Sequence, residues 1–365
     1  MSCPVILEKN INKLNDLFML LDLSPSEIDN IKEISEKFPI SIPPYYLSLI
    51  NKDDKDDPIK KMCIPSEFEK DLRGNFDTSG EGQNTVITGM QHKYKETAMI
   101  LSTNQCAMYC RHCFRKRLVG LSDEEIAKHF DEMAEYIKEH KEINNVLISG
   151  GDSFVNSNSK IKELLELFTS IDHLDFIRFG TRIPVVMPQR ISEDYELLNI
   201  LKQYSKKKQI YVITQFNHPN EITNESKKAV KLLQKIGIVV KNQTVLLKGV
   251  NDDPEILGDL LKKLTSFGVV PYYIFQCRPV SGVKSQFQVP LIRGYEIVEK
   301  AKAMQNGQGK CFKYCFSCEK GKIEVLGKSS DGMIFKFHEA KYEEDQGRIF
   351  YKRIDEDTCW LYDID

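Results

Sequence analysis

A chain of 365 residues with 41% hydrophobic content has room for one large α/β domain with appendages, or for two modest domains, around a substantial core. Its 51 Lys+Arg against 53 Asp+Glu leave a net charge of −2, so there is no broad basic field, and non-specific nucleic-acid binding is excluded as a starting point. No run of about 18 apolar residues occurs, and the start MSCPVILEKN has no basic segment followed by an apolar stretch, so the expectation is a chain with no membrane span or secretory signal and a cytoplasmic location.

Residues 1–92 form a polar region that is mostly helical in pattern. SPSEIDNIKEISEKF offers Ser24 or Ser26 as an N-cap and repeats its apolar residues at helical spacing. NKDDKDDPIKK is a charged connector, and RGNFDTSGEGQNT is a glycine-rich loop. From about Ala98 the texture changes to six short β-rich runs, AMILST, NVLIS, FIRFG, QIYVIT, VVKNQTVLL and VPYYIFQC, with amphipathic helices between them. SDEEIAKHFDEMAEYIKEH is predicted as a helix opened by a Ser122–Glu125 capping box, with Ile126, Phe130, Met133 and Ile137 on one face. DDPEILGDLLKKL starts with Pro254 in the first helical position after Asp253. Strands alternating with helices imply a parallel sheet with right-handed crossovers. Six units predict a partial (β/α)6 TIM-type barrel over residues 93–305, followed by a C-terminal extension over 306–365. In such sheets chemistry gathers at the C-terminal strand ends.

Ten cysteines are many for a cytosolic chain, where disulfides do not persist, so grouped thiols point to metal or redox chemistry. Cys106, Cys110 and Cys113 share one spacing with Cys311, Cys315 and Cys318. Cys3, Cys63, Cys277 and Cys359 are isolated and read as small buried hydrophobes. The first group follows the first barrel strand, and SGGD (Ser149, Gly150, Gly151, Asp152) follows the second, so two signals meet on one rim. Three thiolates can hold one compact centre. Zinc more often takes paired C-x-x-C units and a fourth protein ligand, whereas three cysteines on a [4Fe-4S] cubane leave one iron open. Gly150 and Gly151 let a ligand approach the backbone without Cβ obstruction.

C-x-x-x-C-x-x-C after the first strand of such a barrel resembles the radical S-adenosylmethionine (SAM) superfamily. The resemblance implies a [4Fe-4S] cluster on Cys106, Cys110 and Cys113, with SAM on its open iron and its methionyl group near Ser149–Asp152. Reduction by a flavodoxin or ferredoxin-type partner would cleave SAM to a 5′-deoxyadenosyl radical that takes hydrogen from a substrate. CAMYCRHCFRKRLVG, NVLISGGD, GTRIPVVMPQRI, FNHPNEIT, NQTVLLKGVND and PYYIFQC, in that order, further resemble the lysine 2,3-aminomutase family from about Phe38 to Cys277. Members move nitrogen between α and β carbons with pyridoxal phosphate (PLP) held as a Schiff base on a lysine. By this resemblance His112 contacts the adenosine part of SAM, Gln243 is an amide near SAM, and Arg115 meets the substrate carboxylate, as a guanidinium fork can.

The departures are as informative. In CFKYCFSCEKGKIEVLG only Gly321 precedes Lys322, the best match to the PLP lysine, where the family has a run of glycines. Thr97 and Gln215 stand where an arginine and a histidine are expected. Arg278 replaces the aspartate that meets the ammonium of lysine, which predicts an acidic or phosphorylated substrate group instead. The reading is a radical SAM enzyme on an amino-acid-like small molecule, of 2,3-aminomutase type but not on lysine; a homo-oligomer is left open. A PLP-free radical enzyme and a non-catalytic iron–sulfur carrier are the rivals. Cys311, Cys315 and Cys318, with Cys277 as a fourth ligand, would make an auxiliary iron–sulfur or zinc site, or would simply be buried thiols.

Overall fold

The computed structural model describes residues 7–21 and 23–364; Cys3 lies outside them. All six predicted strands form. Counting the strands that precede them, they are β3 (Thr97–Leu101), β4 (Asn145–Ser149), β5 (Phe176–Gly180), β6 (Gln209–Thr214), β7 (Val239–Leu246) and β8 (Val270–Gln276), each parallel to the next. Before them β1 (Thr85–Ile87) and β2 (Met90–Tyr94) pair antiparallel onto β3. After them β9 (Lys313–Cys318) adds a seventh parallel strand beside β8. The antiparallel strands β10 (Gly321–Lys328), β11 (Gly332–Ala340) and β12 (Ile349–Arg353) complete a single sheet whose spatial order is the chain order. KYCFSC is thus a barrel strand, and the last sixty or so residues continue the sheet.

Alternation sorts each strand. Ile177 and Phe179 of β5 are fully buried under helices, while Phe176 and Arg178, which alternate with them, face the barrel interior and are only partly buried. The sheet curls until Lys93 of β2 donates to Cys318 O of β9 and reaches Ser79 O at 3.3 Å. No ladder joins β1 to β12, so the barrel is partial and open.

Local signals placed two of the three helices named from sequence. Ser24 caps Pro25–Lys37 with a full capping box to Glu27, and Asp253 Oδ1 accepts from Glu255 N and Ile256 N at 2.8 and 3.2 Å to start Pro254–Ser266. One start is wrong. The helix predicted from Ser122 begins at Phe130 and ends at Glu139, although Phe130, Met133 and Ile137 do share its buried face. Glu125 cannot close a capping box because its carboxylate takes Arg117 Nη2 at 2.7 Å, and Ala127 N is drawn to Leu101 O at 2.8 Å. Ile126 packs instead with Leu101 and Leu118. Cys63 and Cys277 are buried as expected, and Cys359 is half-buried.

Candidate active site

The loop carrying Cys106, Cys110 and Cys113 leaves the C-terminal end of β3. It is bound to the next strand end: Ser102 N to Ser149 O at 2.9 Å, Gly151 N to Thr103 O at 2.5 Å and Asp152 N to Gln105 O at 2.8 Å. The N-terminal region binds it from the other side, through Tyr109 N to Ser41 O and Arg111 N to Met62 O, both 2.9 Å. Gly150 and Gly151 therefore serve a purpose the sequence reading missed. Gly150 has φ +117°, and a Cβ there would stand 2.3 Å from Thr103 O; one on Gly151 would stand 2.2 Å from Gln105 O. They let the cysteine loop itself lie against the strand end.

The three thiols are half-buried on this one loop. Burial pushes Cys106 and Cys113 up, Cys113 to about 11, and the charges of the neighbouring thiols add to the rise. Thiols that oppose one another's ionisation are a donor set that a cation would relieve. Arg182 Nη1 donates to Cys110 Sγ at 2.7 Å while its Nη2 bonds Glu221 Oε1 at 2.6 Å, and Tyr46 Oη donates to the same Glu221 oxygen at 2.6 Å. Arg182, in GTRIP at the end of β5, was not singled out from sequence. Its place after a barrel strand was the available signal.

The basic run of CRHCFRKR is resolved by two buried glutamates from the N-terminal region. Glu69 takes Arg111 through Nε at 2.8 Å and a second bond from Nη2, and takes Lys116 Nζ at 2.5 Å. Glu81 takes Arg115 Nε at 2.9 Å and Arg117 Nη2 at 2.8 Å. These charge-assisted bonds hold Glu81 down to about 2 despite its burial. The remaining Arg115 donors meet Ser149 Oγ and Gly150 O, each at 3.1 Å, and Met99 Sδ. The carboxylate that the resemblance puts on Arg115 is supplied here by the chain itself.

His112 is buried, and that burial lowers its pKa well below the usual histidine range, so the ring is neutral. Asn217 Oδ1 accepts from Val245 N at 2.9 Å, which orients its amide to donate to His112 Nε2 at 3.2 Å. The ring proton then sits on Nδ1, which has no partner among the described residues. A buried orphan donor fits a ligand acceptor such as an adenine nitrogen. Gln243 lies partly exposed on β7 opposite Tyr273. Asp152 turns away from the rim: it accepts from Thr181 Oγ1 at 2.5 Å, Arg182 N at 2.7 Å and Phe154 N at 3.0 Å, tying the loop after β4 to that after β5.

Lys322 is no surface lysine. It lies inside the barrel over the Tyr94 and Tyr273 rings, 4.8 and 5.5 Å from their centroids, with its amine bonded to Glu339. A register shift between Lys322 and Ile323 makes room for His338 beside Glu339, and Tyr273 Oη meets His338 Nε2 at 2.8 Å and Glu339 Oε1 at 3.2 Å. The second cysteine group is not drawn together in the same way. Cys311 is exposed before β9, and Cys315 and Cys318, three residues apart on the strand, point to opposite faces. Among the described residues no three His, Cys, Asp or Glu side chains already surround a common point. The first group is distinguished by its single loop and mutual charge effects. Serine at Cys311, Cys315 and Cys318 should leave iron per chain unchanged, with no zinc; loss of a metal would place a second centre there.

Three thiols on the loop after the first parallel strand of an open barrel, with a neutral buried histidine between two of them, define a radical SAM enzyme, and the radical SAM superfamily pattern matches residues 100–261. Within that class, the chain is 38% identical over 97% of its length to a protein of Aquifex aeolicus provisionally named an L-lysine 2,3-aminomutase, covering 95% of that relative. It is 38% identical to the L-lysine 2,3-aminomutase of Acetoanaerobium sticklandii over 81% of this chain and 71% of the relative. It is also 38% identical to the glutamate 2,3-aminomutase of Clostridioides difficile over 82% and 70%. The chain belongs to the lysine 2,3-aminomutase family and is an enzyme of aminomutase-like type. Among the described residues no helix is long and apolar enough to cross a membrane.

Proposed function

We propose that this enzyme isomerises, by hydrogen abstraction, an amino acid that carries a second anionic group, with Cys106, Cys110 and Cys113 holding the [4Fe-4S] cluster. The observation that carries the reading is the placing of these thiols on one loop beneath Arg182, with Arg278 on the same rim. His112 Nδ1–H, Gln243 and the backbone of Ser149–Gly151 are the polar groups available to SAM. Together the cluster and SAM supply a carbon-centred radical after one electron from a flavodoxin or ferredoxin-type donor. The chain's own part is to seat the cluster loop through Gly150 and Gly151, direct Arg182 at Cys110, and present cations to the substrate. Glu81 already neutralises Arg115, while Arg278 stacks on Phe114 at 4.3 Å and, among the described residues, its side chain bonds only the Ser79 hydroxyl, at 2.7 Å. Lysine, whose side chain ends in a cation, is a poor match to that surface.

The residues present do not fit PLP as the family motif would have it. The Lys322 amine is committed to Glu339, one glycine precedes it, and Thr97 stands where an arginine is expected. That ion pair favours a second reading, a PLP-independent radical reaction on the same substrate class. Visible imine absorbance removed by borohydride would restore the PLP route. The main test is isotopic: deuterium from labelled glutamate or a phosphorylated amino acid should appear in 5′-deoxyadenosine. Transfer from lysine alone would defeat the acidic-substrate reading.

A further inference from the structure

A single buried carboxylate stands behind the cysteine loop. Glu221, on the loop after β6, is fully buried. Its Oε2 accepts from Asn217 N at 2.6 Å and His218 N at 3.0 Å, and its Oε1 accepts from Tyr46 Oη and Arg182 Nη2, each at 2.6 Å. Backbone on one side and a tyrosine from the N-terminal region on the other fix the carboxylate, and the carboxylate fixes the guanidinium. Arg182 Nε donates to Gln215 O at 3.0 Å, which leaves Nη1 to reach Cys110 Sγ at 2.7 Å. The basic side chains of the cysteine loop are engaged elsewhere: Arg111 and Lys116 with Glu69, Arg115 and Arg117 with Glu81. Arg182, from a different strand end, brings its charge to a sulfur.

A cluster held by these thiols gains one negative charge when it takes the electron that precedes SAM cleavage, with no bond made or broken in the protein. Hydrogen bonds to its sulfurs and positive charge nearby stabilise that reduced form, and burial strengthens both. A guanidinium cannot shed its proton to escape the site, so Arg182 alone would set a full buried cation against the cluster. Glu221 offsets that charge and keeps the N–H aimed at sulfur. We infer that Glu221 and Arg182 together set the reduction potential of the cluster, with Glu221 holding it low enough to reduce SAM. Both are positioning residues that act through Cys110. The inference rests on the proposed seat of the cluster on Cys106, Cys110 and Cys113, and on nothing in the substrate reading. A mere tie between the N-terminal region and the barrel predicts lost stability without a directed change in potential.

A redox titration of the reconstituted protein without SAM, followed by electron paramagnetic resonance, tests it. Glu221→Gln should move the one-electron equilibrium at least tenfold toward the reduced cluster, about 59 mV upward. Arg182→Gln should move it at least tenfold the other way. Arg182→Lys keeps the charge without the fork and should fall less than Arg182→Gln. The double variant Arg182→Gln, Glu221→Gln leaves neither charge buried without its partner, which guards against single variants that fail to take up a cluster. It loses the bond to sulfur but no net charge, so its potential should lie below wild type and above Arg182→Gln. Simple loosening would admit water, which stabilises the more negative form and raises the potential in every variant. A double variant at or above the wild-type potential, or single variants that shift in the same direction or by less than tenfold, would overturn the inference. Iron per chain is measured in the same preparations. A wild-type protein that takes up no cluster on the three cysteines overturns the seat, and this inference with it. A full cluster with potentials that ignore these substitutions overturns this inference alone.

Discussion

Changing Cys106, Cys110 and Cys113 together to alanine should leave a folded protein that takes up no cluster iron and forms no 5′-deoxyadenosine from SAM under reducing conditions. The fold should survive because the loop is held by backbone bonds to Ser41, Met62 and Ser149, and by Arg111 and Lys116 on Glu69, none of which uses a thiol. Chemistry should not survive, because a cubane needs thiolate ligands and alanine offers none. Iron analysis, the electron paramagnetic resonance of the reduced protein and the deoxyadenosine yield measure the effect, with circular dichroism as the check on folding. Reductive SAM cleavage retained by the triple variant would place the cluster elsewhere in the chain.

Gly151→Ala should be nearly as damaging although it removes no chemical group. The new Cβ would lie 2.2 Å from Gln105 O, 2.7 Å from Gln105 C and 2.9 Å from Asn104 C, all backbone atoms. That backbone has little room to retreat, since Gln105 O accepts from Asp152 N and Thr103 O from Gly151 N. Overpacking of this kind costs about 1–3 kcal/mol, and the displaced segment leads directly into Cys106. Reconstituted iron per chain should fall sharply and the denaturant midpoint should drop. Gly307→Ala, with open space round its Cβ, should change neither. Full iron uptake in Gly151→Ala would mean that the strand end does not position the loop.

Much of the architecture was legible from local pattern. Six strands were found because buried parallel strands read as short β-branched and aromatic runs between helices. The first cysteine group was visible by its spacing, and the structure places its three thiols on one loop after β3. β9 escaped as a barrel strand because its cysteines suggested a metal, and the helix after Ser122 was placed seven residues early because an intact capping-box motif lost its glutamate to Arg117. Such a loss is invisible in sequence.

The sequence by itself determined the class of chemistry, the grouping of three thiols on one loop and the alternation of strand and helix, all of which depend on residues within a few positions of one another. Only the tertiary structure decided what the charged residues do. Glu69 and Glu81 lie 34 to 47 positions from the basic residues they hold, Arg182 lies 72 from Cys110, and Lys93 comes to Cys318 across 225 positions. A side chain's charge is written in the chain, but its partner is chosen by the curl of the sheet. Whether a buried cation is a structural tie or a ligand site depends on whether an acid lies within reach.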